Sequence, residues 1–155
     1  TVCTNPAMLY ISVRPERYSY PLLCDSREFV VNLTNERLSR ATDWCGVRSG
    51  QDVDKWRETG LSRGKAQTLR YAPLIQESPV NIECKVKNMQ KLSSHHMFLA
   101  EVTAVQADER YMEESGKFDL NKSGLITYSH GEYFCMGKPL GRFGWSVKKK
   151  GRTKK

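Results

Sequence analysis

Residues 10–23 read YISVRPERYSYPLL. An apolar, β-branched run stops at Arg14, Pro15 and Arg17, and apolar residues resume after Ser19. Cations and a hydroxyl at the end of a strand have one obvious chemistry, the binding of an anion. A strand end, a bend and a helix start leave several backbone N–H groups without partners, and a helix N-terminus adds partial positive charge. Arg14, Arg17 and Ser19 would complete a phosphate cradle on that frame. An exposed loop whose arginines pair with Asp25 or Glu28 accounts for the same residues.

Two further stretches carry candidate chemistry. In SGQDVDKW, Ser49-Gly50 form a turn signal before a short helix that carries Lys55. A nucleotide-binding loop and an ordinary surface helix fit that pattern equally. In YSHGEYF, His130 stands beside Gly131, between Tyr128 and Tyr133. A histidine there can act as acid, base or hydrogen-bond donor, where glycine lets a flat group approach the backbone. A plain hairpin turn explains it as well. There is no Ser-His-Asp grouping, P-loop or GxGxxG. The five cysteines include no CxxC pair. Cys24, Cys45, Cys84 and Cys135 sit among apolar neighbours and read as buried, reduced thiols of a cytoplasmic protein.

These residues need elements to hold them. Met8 to Val13 and Glu28 to Leu33 read as strands rich in β-formers. Ser19 is placed to cap a short helix with Pro21 in its first turn. A helix is predicted from Thr34 or Asn35 to about Trp44, closed by Gly46, and a shorter one from Asp52 to Gly60. Residues 62–78 read as a long connecting loop. Val80 to Lys91 alternates, with Ile82, Cys84 and Val86 on one face and Glu83, Lys85 and Lys87 on the solvent face. Met97 to Ala107 is its hairpin partner. Residues 125–128 and 133–136 flank the SHGE turn. Many strands, short connections and few helices point to an antiparallel barrel decorated with helices.

The chain has 155 residues and a formal charge of +8. Residues 148–155 hold five lysines and one arginine, which leaves +2 on the rest. Such a tail can touch nucleic acid or anionic lipid, but a solvated, frayed terminus is the simpler reading. No apolar run approaches the ~20 residues of a membrane span.

Five stretches in order, TNPAMLYISVRPERYSY, EFVVNLT, ATDWCGVRSGQDVDKW, APLIQESPVNIECKV and YSHGEYFCMGKPLGRFGWSVKKK, resemble the flavin reductase-like family that includes flavoredoxin. The resemblance implies a mainly β fold: an FMN-binding split β-barrel, antiparallel and Greek-key-like, over residues 1–147, with a basic tail at 148–155. It implies FMN as cofactor and NADH or NADPH, or a redox partner protein, as electron source. It also implies a cytoplasmic homodimer with no nucleic-acid or membrane partner. Ser12, Arg14, Arg17 and Ser19 match the family segment around the FMN phosphate and ribityl chain. Asn32 matches a position near the flavin, and Ser49, Gly50, Asp52 and Lys55 match a second loop. His130 and Tyr133 match a late-strand pair near the ring or the incoming nucleotide. Gln51 stands where the family commonly has arginine, which removes a charge from that loop. Family members also usually carry further barrel strands ahead of TVCTNP.

Overall fold

The computed structural model describes residues 2–147, so the basic tail lies outside the described residues. Strands β1 (Cys3–Thr4), β2 (Ala7–Val13), β3 (Glu28–Asn32), β6 (Val80–Lys91) and β7 (His96–Ala107) form one antiparallel sheet in the order β1-β2-β7-β6-β3. Two short ladders stand apart, β4 (Arg63–Gly64) with β5 (Leu74–Ile75), and β8 (Ile126–Ser129) with β9 (Glu132–Cys135). The large sheet curls without closing, which makes this a split β-barrel. The long β6–β7 hairpin is its spine. β2 pairs with one side of it and β3 with the other, so the chain must cross over between them.

Helix α1 (Ser19–Ser26) makes that crossing and covers the core. Leu23 packs with Phe29, Cys84, Val86, Phe98 and Ala100, and Ile11, Val13 and Tyr20 close the cluster. Fully burying a side chain such as Phe98 contributes about 1.5–3 kcal/mol. Tyr20 fixes the helix to the sheet: its hydroxyl lies 2.7 Å from His96 Nδ1, and its ring meets Phe98 edge-on. Ser19 is the first residue of α1 rather than its cap, and no side chain caps the helix.

The predicted 34–44 helix divides. Asn35 accepts from the Leu38 N–H and starts a single 3-10 turn, Glu36–Leu38. Helix α2 (Ser39–Val47) follows and runs through Gly46, so that glycine does not close it. Helix α3 (Lys55–Thr59) starts later than predicted, because the Asp54 carboxylate accepts from both Trp56 N and Arg57 N and so fixes the cap there.

Glu83 departs most from its sequence pattern. It alternates with core residues as a solvent-facing residue should, yet it is fully buried. The 62–78 segment lies over it. Glu83 accepts from the backbone N–H groups of Gln67 and Thr68, from the Thr68 hydroxyl and from the Gln106 amide, at 2.7–2.8 Å. Glu28 accepts from Arg70 N and Tyr71 N, and Asn32 from Ile75 N, each at 2.9 Å. Three sheet side chains thus supply the acceptors that the covering segment lacks within itself. Cys135 also departs from expectation: it lies on the exposed β8–β9 hairpin, whereas Cys84 is buried and Cys24 and Cys45 are half-buried.

Candidate functional site

Six of the predicted residues come together. Arg17, Ser19, Ser49, Gly50, Asp52 and Lys55 line one open cleft of about 1110 Å³, room for a cofactor-sized molecule. One wall is the turn from Glu16 to Tyr18 with the start of α1. The other is the C-terminal end of α2, the Ser49–Asp54 loop, the first residues of α3 and Arg63 from β4.

Short-range bonds hold both walls. Arg17 N donates to Arg14 O at 3.0 Å, and Tyr20 N to Arg17 O at 2.9 Å, which turns the chain from β2 into α1. Across the cleft, Ser49 O accepts from Asp52 N and Val53 N, and Ser49 Oγ from Gln51 N. The Lys55 ammonium donates to Cys45 O at 2.5 Å and ties α3 to the end of α2. Gly50 lets the walls meet: a Cβ there would stand 3.2 Å from Tyr18 Cδ1.

The charge in the cleft is mostly unspent. Arg17, Arg48, Lys55 and Arg63 line it, against Glu16, Asp52 and Asp54, and Asp54 is occupied as the α3 cap. The ion pairs among the described residues, Arg57–Glu58, Lys87–Glu101, Arg110–Asp108 and Lys122–Asp119, all lie elsewhere. Neither Arg14 nor Arg17 pairs with Asp25 or Glu28, which excludes that account of the two arginines. The first turn of α1 carries neither a side-chain cap nor an acidic residue. Backbone donors and guanidinium groups therefore face the cleft with few internal acceptors, an arrangement that attracts an anion.

The other predicted residues lie outside this lining. Ser12 is exposed on β2, opposite Met97, and Arg14 is exposed at the bend. Asn32 is occupied: its Oδ1 accepts from Ile75 N and its Nδ2 donates to Val30 O. His130 is at the tip of the β8–β9 hairpin with a φ of 48°. Tyr133 packs its ring 5.2 Å from that of Tyr128 and donates to Asp43 Oδ1 at 3.2 Å. Burial, then the Asp43 charge and hydrogen bond, push its hydroxyl pKa up. Asp43 lies in α2, so this contact joins the hairpin to the helix whose end forms the cleft.

Sequence reasoning missed Tyr18, Arg48, Trp56 and Arg63. Arg48 adjoins the Ser-Gly turn and could have been read with it. Arg63 carries no local signal. Its guanidinium reaches the cleft over the Trp56 ring, 5.0 Å from the centroid, a contact that only the fold creates.

Comparison with known proteins bears on the family and the fold. The flavin reductase like domain matches residues 1–134. The flavoredoxin of Desulfovibrio vulgaris superposes with a TM-score of 0.86 at 26% identity, over 94% of this chain and 79% of that one. The flavoredoxin of Methanosarcina acetivorans gives 0.83 at 29% identity, over 95% and 80%. An FMN-binding protein of Thermus thermophilus shares the fold, with a TM-score of 0.72 at 22% identity over 89% and 76%. With a split barrel and a family match over most of its length, this chain belongs to the flavin reductase-like family.

Proposed function

We propose that this chain binds FMN by its phosphate in the Arg17–Lys55 cleft and works as a flavin reductase-like oxidoreductase. One observation carries the reading: Arg17 and Ser19 share a cleft with Ser49, Gly50, Asp52 and Lys55, and its cations join none of the ion pairs among the described residues. The donor set suits a phosphate monoester, and the FMN-binding relative of this fold favours FMN over larger flavins. Bound FMN would supply hydride and electron transfer between a nicotinamide nucleotide and an acceptor.

The chain's own groups bind and orient. Arg17 and Arg48 would give charge-assisted bonds to the phosphate, and the Ser19 and Ser49 hydroxyls would add neutral ones. Arg14 and Ser12, beside the bend, extend the cradle outward. Lys55, held by Cys45 O, keeps a cation at the cleft wall. Asp52 offers an acceptor for ligand hydroxyls. Asn32, with its side chain engaged, is left to serve through its backbone. His130 and Tyr133, on the exposed hairpin, are assigned to the ring or the nicotinamide. The family resemblance supports a cytoplasmic homodimer as the working form. Among the described residues no helix is long and apolar enough to cross a membrane.

A second reading, an electron carrier reduced by a partner protein without its own nicotinamide site, draws on the two flavoredoxin neighbours. A visible absorbance spectrum before and after anaerobic NADH or NADPH tests both. Flavin bands that bleach support the reductase, and bands that persist support the carrier. A protein that neither carries nor takes up FMN overturns the site.

A further inference from the structure

Beyond β9 the chain continues as an arm, residues 136–147, tied back to the body through Met136 N to Leu125 O. Its apolar side chains turn outward: Leu140 is 93% exposed, Phe143 fully so, and Trp145 and Val147 mostly so. The arm is nevertheless shaped. Trp145 N donates to Arg142 O at 2.9 Å, and the Trp145 ring lies so close over Gly141 that a Cβ there would stand 2.7 Å from it. Lys138 and Arg142 are its charged residues, with no carboxylate among them.

A groove of about 600 Å³ lies behind α1, floored by Leu22, Leu23, Phe29 and Val30 and walled by Tyr71 and Pro73. Its charged lining is Asp25 and Glu28, with no cation. Glu28 spends its hydrogen bonds on the 70–71 backbone but keeps its charge, and Asp25 is exposed and joins none of the ion pairs among the described residues. The neighbouring cleft is lined by four cations against three carboxylates and lacks the groove's purely acidic lining. The groove matches it in both polarity and charge. Glu28 opens β3 and Thr34 lies two residues past its last residue, Asn32, and the hairpin that carries the arm joins the body there through Ile126 N to Thr34 O. The arm's root and the groove lie toward opposite ends of that strand, and the homodimer reading above supplies a second copy whose groove the arm can enter.

We propose that the arm of one copy docks into the α1 groove of a second copy, reciprocally, with Phe143 and Leu140 as anchors and Arg142 facing Asp25. The proposal rests on the homodimer reading above and names its contact. Two arms would bury four aromatic side chains of roughly 150–250 Å² each, which with the groove surface they cover approaches the ~1,200–2,000 Å² of a stable interface. The local fold around Trp145 lowers the ordering cost of docking.

Sedimentation of the full chain in the presence of FMN tests this through charge reversal. Asp25→Lys alone and Arg142→Glu alone should each weaken the dimer at least tenfold, and Phe143→Glu should do the same, with circular dichroism unchanged because all three positions are exposed. Mixing the Asp25→Lys chain with the Arg142→Glu chain should restore a heterodimer, since each arm then faces a groove of opposite charge. Docking within one chain predicts no rescue on mixing and overturns the proposal. A wild-type dimer indifferent to all three substitutions also overturns it, while leaving the homodimer standing. A wild-type monomer overturns both.

Discussion

Two polar regions of this protein look alike in sequence and differ in what their groups are doing. The patch of Glu28, Asn32 and Glu83 under the 62–78 segment has its acceptors filled from within: four hydrogen bonds to Glu83, two to Glu28 and one to Asn32 from Ile75. The cleft of Arg17, Arg48, Lys55 and Arg63 has charges that the chain leaves mostly unanswered. A polar group whose partners are internal contributes to structure. A polar group positioned with no partner is available to a ligand. The fold uses the first to fix the second, because the loop that Glu83 and Glu28 hold begins at Arg63, in the cleft wall.

The sharpest way to break the contrast is Glu83→Ala. It removes the acceptor of two backbone N–H groups, the Thr68 hydroxyl and the Gln106 amide at a part-buried site, each costing about 1 kcal/mol, the low end of the range for a lost partner. Urea unfolding should show a loss of at least ~3 kcal/mol, and a loss under 1 kcal/mol would remove the tether from the account. Next comes the pH dependence of the same group. Burial pushes the Glu83 carboxyl up, but its hydrogen bonds to Gln67, Thr68 and Gln106 outweigh this and bring it from 4.5 to about 2. Its folded pKa is below its unfolded one, so its contribution is complete above about pH 4.5 and is lost as pH falls toward 2. That contribution is on the order of 3 kcal/mol. Glu83→Gln should flatten this acid limb, and stability curves of the two proteins across that range decide it.

The cleft should answer in the opposite way. Arg17→Ala should weaken FMN by more than tenfold in a fluorescence-quenching titration while unfolding stability moves by less than about 0.5 kcal/mol. Arg14→Ala, at the outer edge of the cradle, should weaken it less than Arg17→Ala. Gly50→Ala brings a methyl to 3.2 Å from the Tyr18 ring, and the small displacement of the wall should cost a few-fold in FMN affinity. The smallest effect is expected of Tyr133→Phe. It removes one exposed hydrogen bond to Asp43 and should change stability by no more than ~0.5 kcal/mol. A larger loss would make the hairpin part of the core framework.

Much of the fold was legible in the chain. The β-branched run of β2, the alternation in β6 and the Gly60 stop of α3 are local patterns, and each produced an element close to its predicted bounds. Part of the cleft lining was legible too, because Arg17 and Ser19 are neighbours in sequence and Ser49 to Lys55 form one short segment. Glu83 was not legible. Alternation correctly placed it on the face away from the core, but whether that face meets water depends on a segment 15 residues earlier. The N-terminal boundary of α3 failed for a smaller reason: Asp52 and Asp54 are both competent caps, and only the folded loop selects Asp54.

By itself, then, the sequence determined the long strands β2, β3, β6 and β7, the pairing of the β6–β7 hairpin and the residue types that line much of the cleft, but not the short β1 or the β4–β5 ladder inside the segment read as a loop. These depend on backbone preference and hydrophobic period, which act over a few residues. The tertiary structure alone decided that Arg48 and Arg63 join Arg17 across the cleft, that Glu83 is an anchor and not a surface charge, and that the 136–147 arm shows its apolar side chains to solvent. Hydrogen bonding and charge depend on distance in space, and pairs such as Glu83 with Gln106, or Asn32 with Ile75, come close only once the sheet has brought distant segments together.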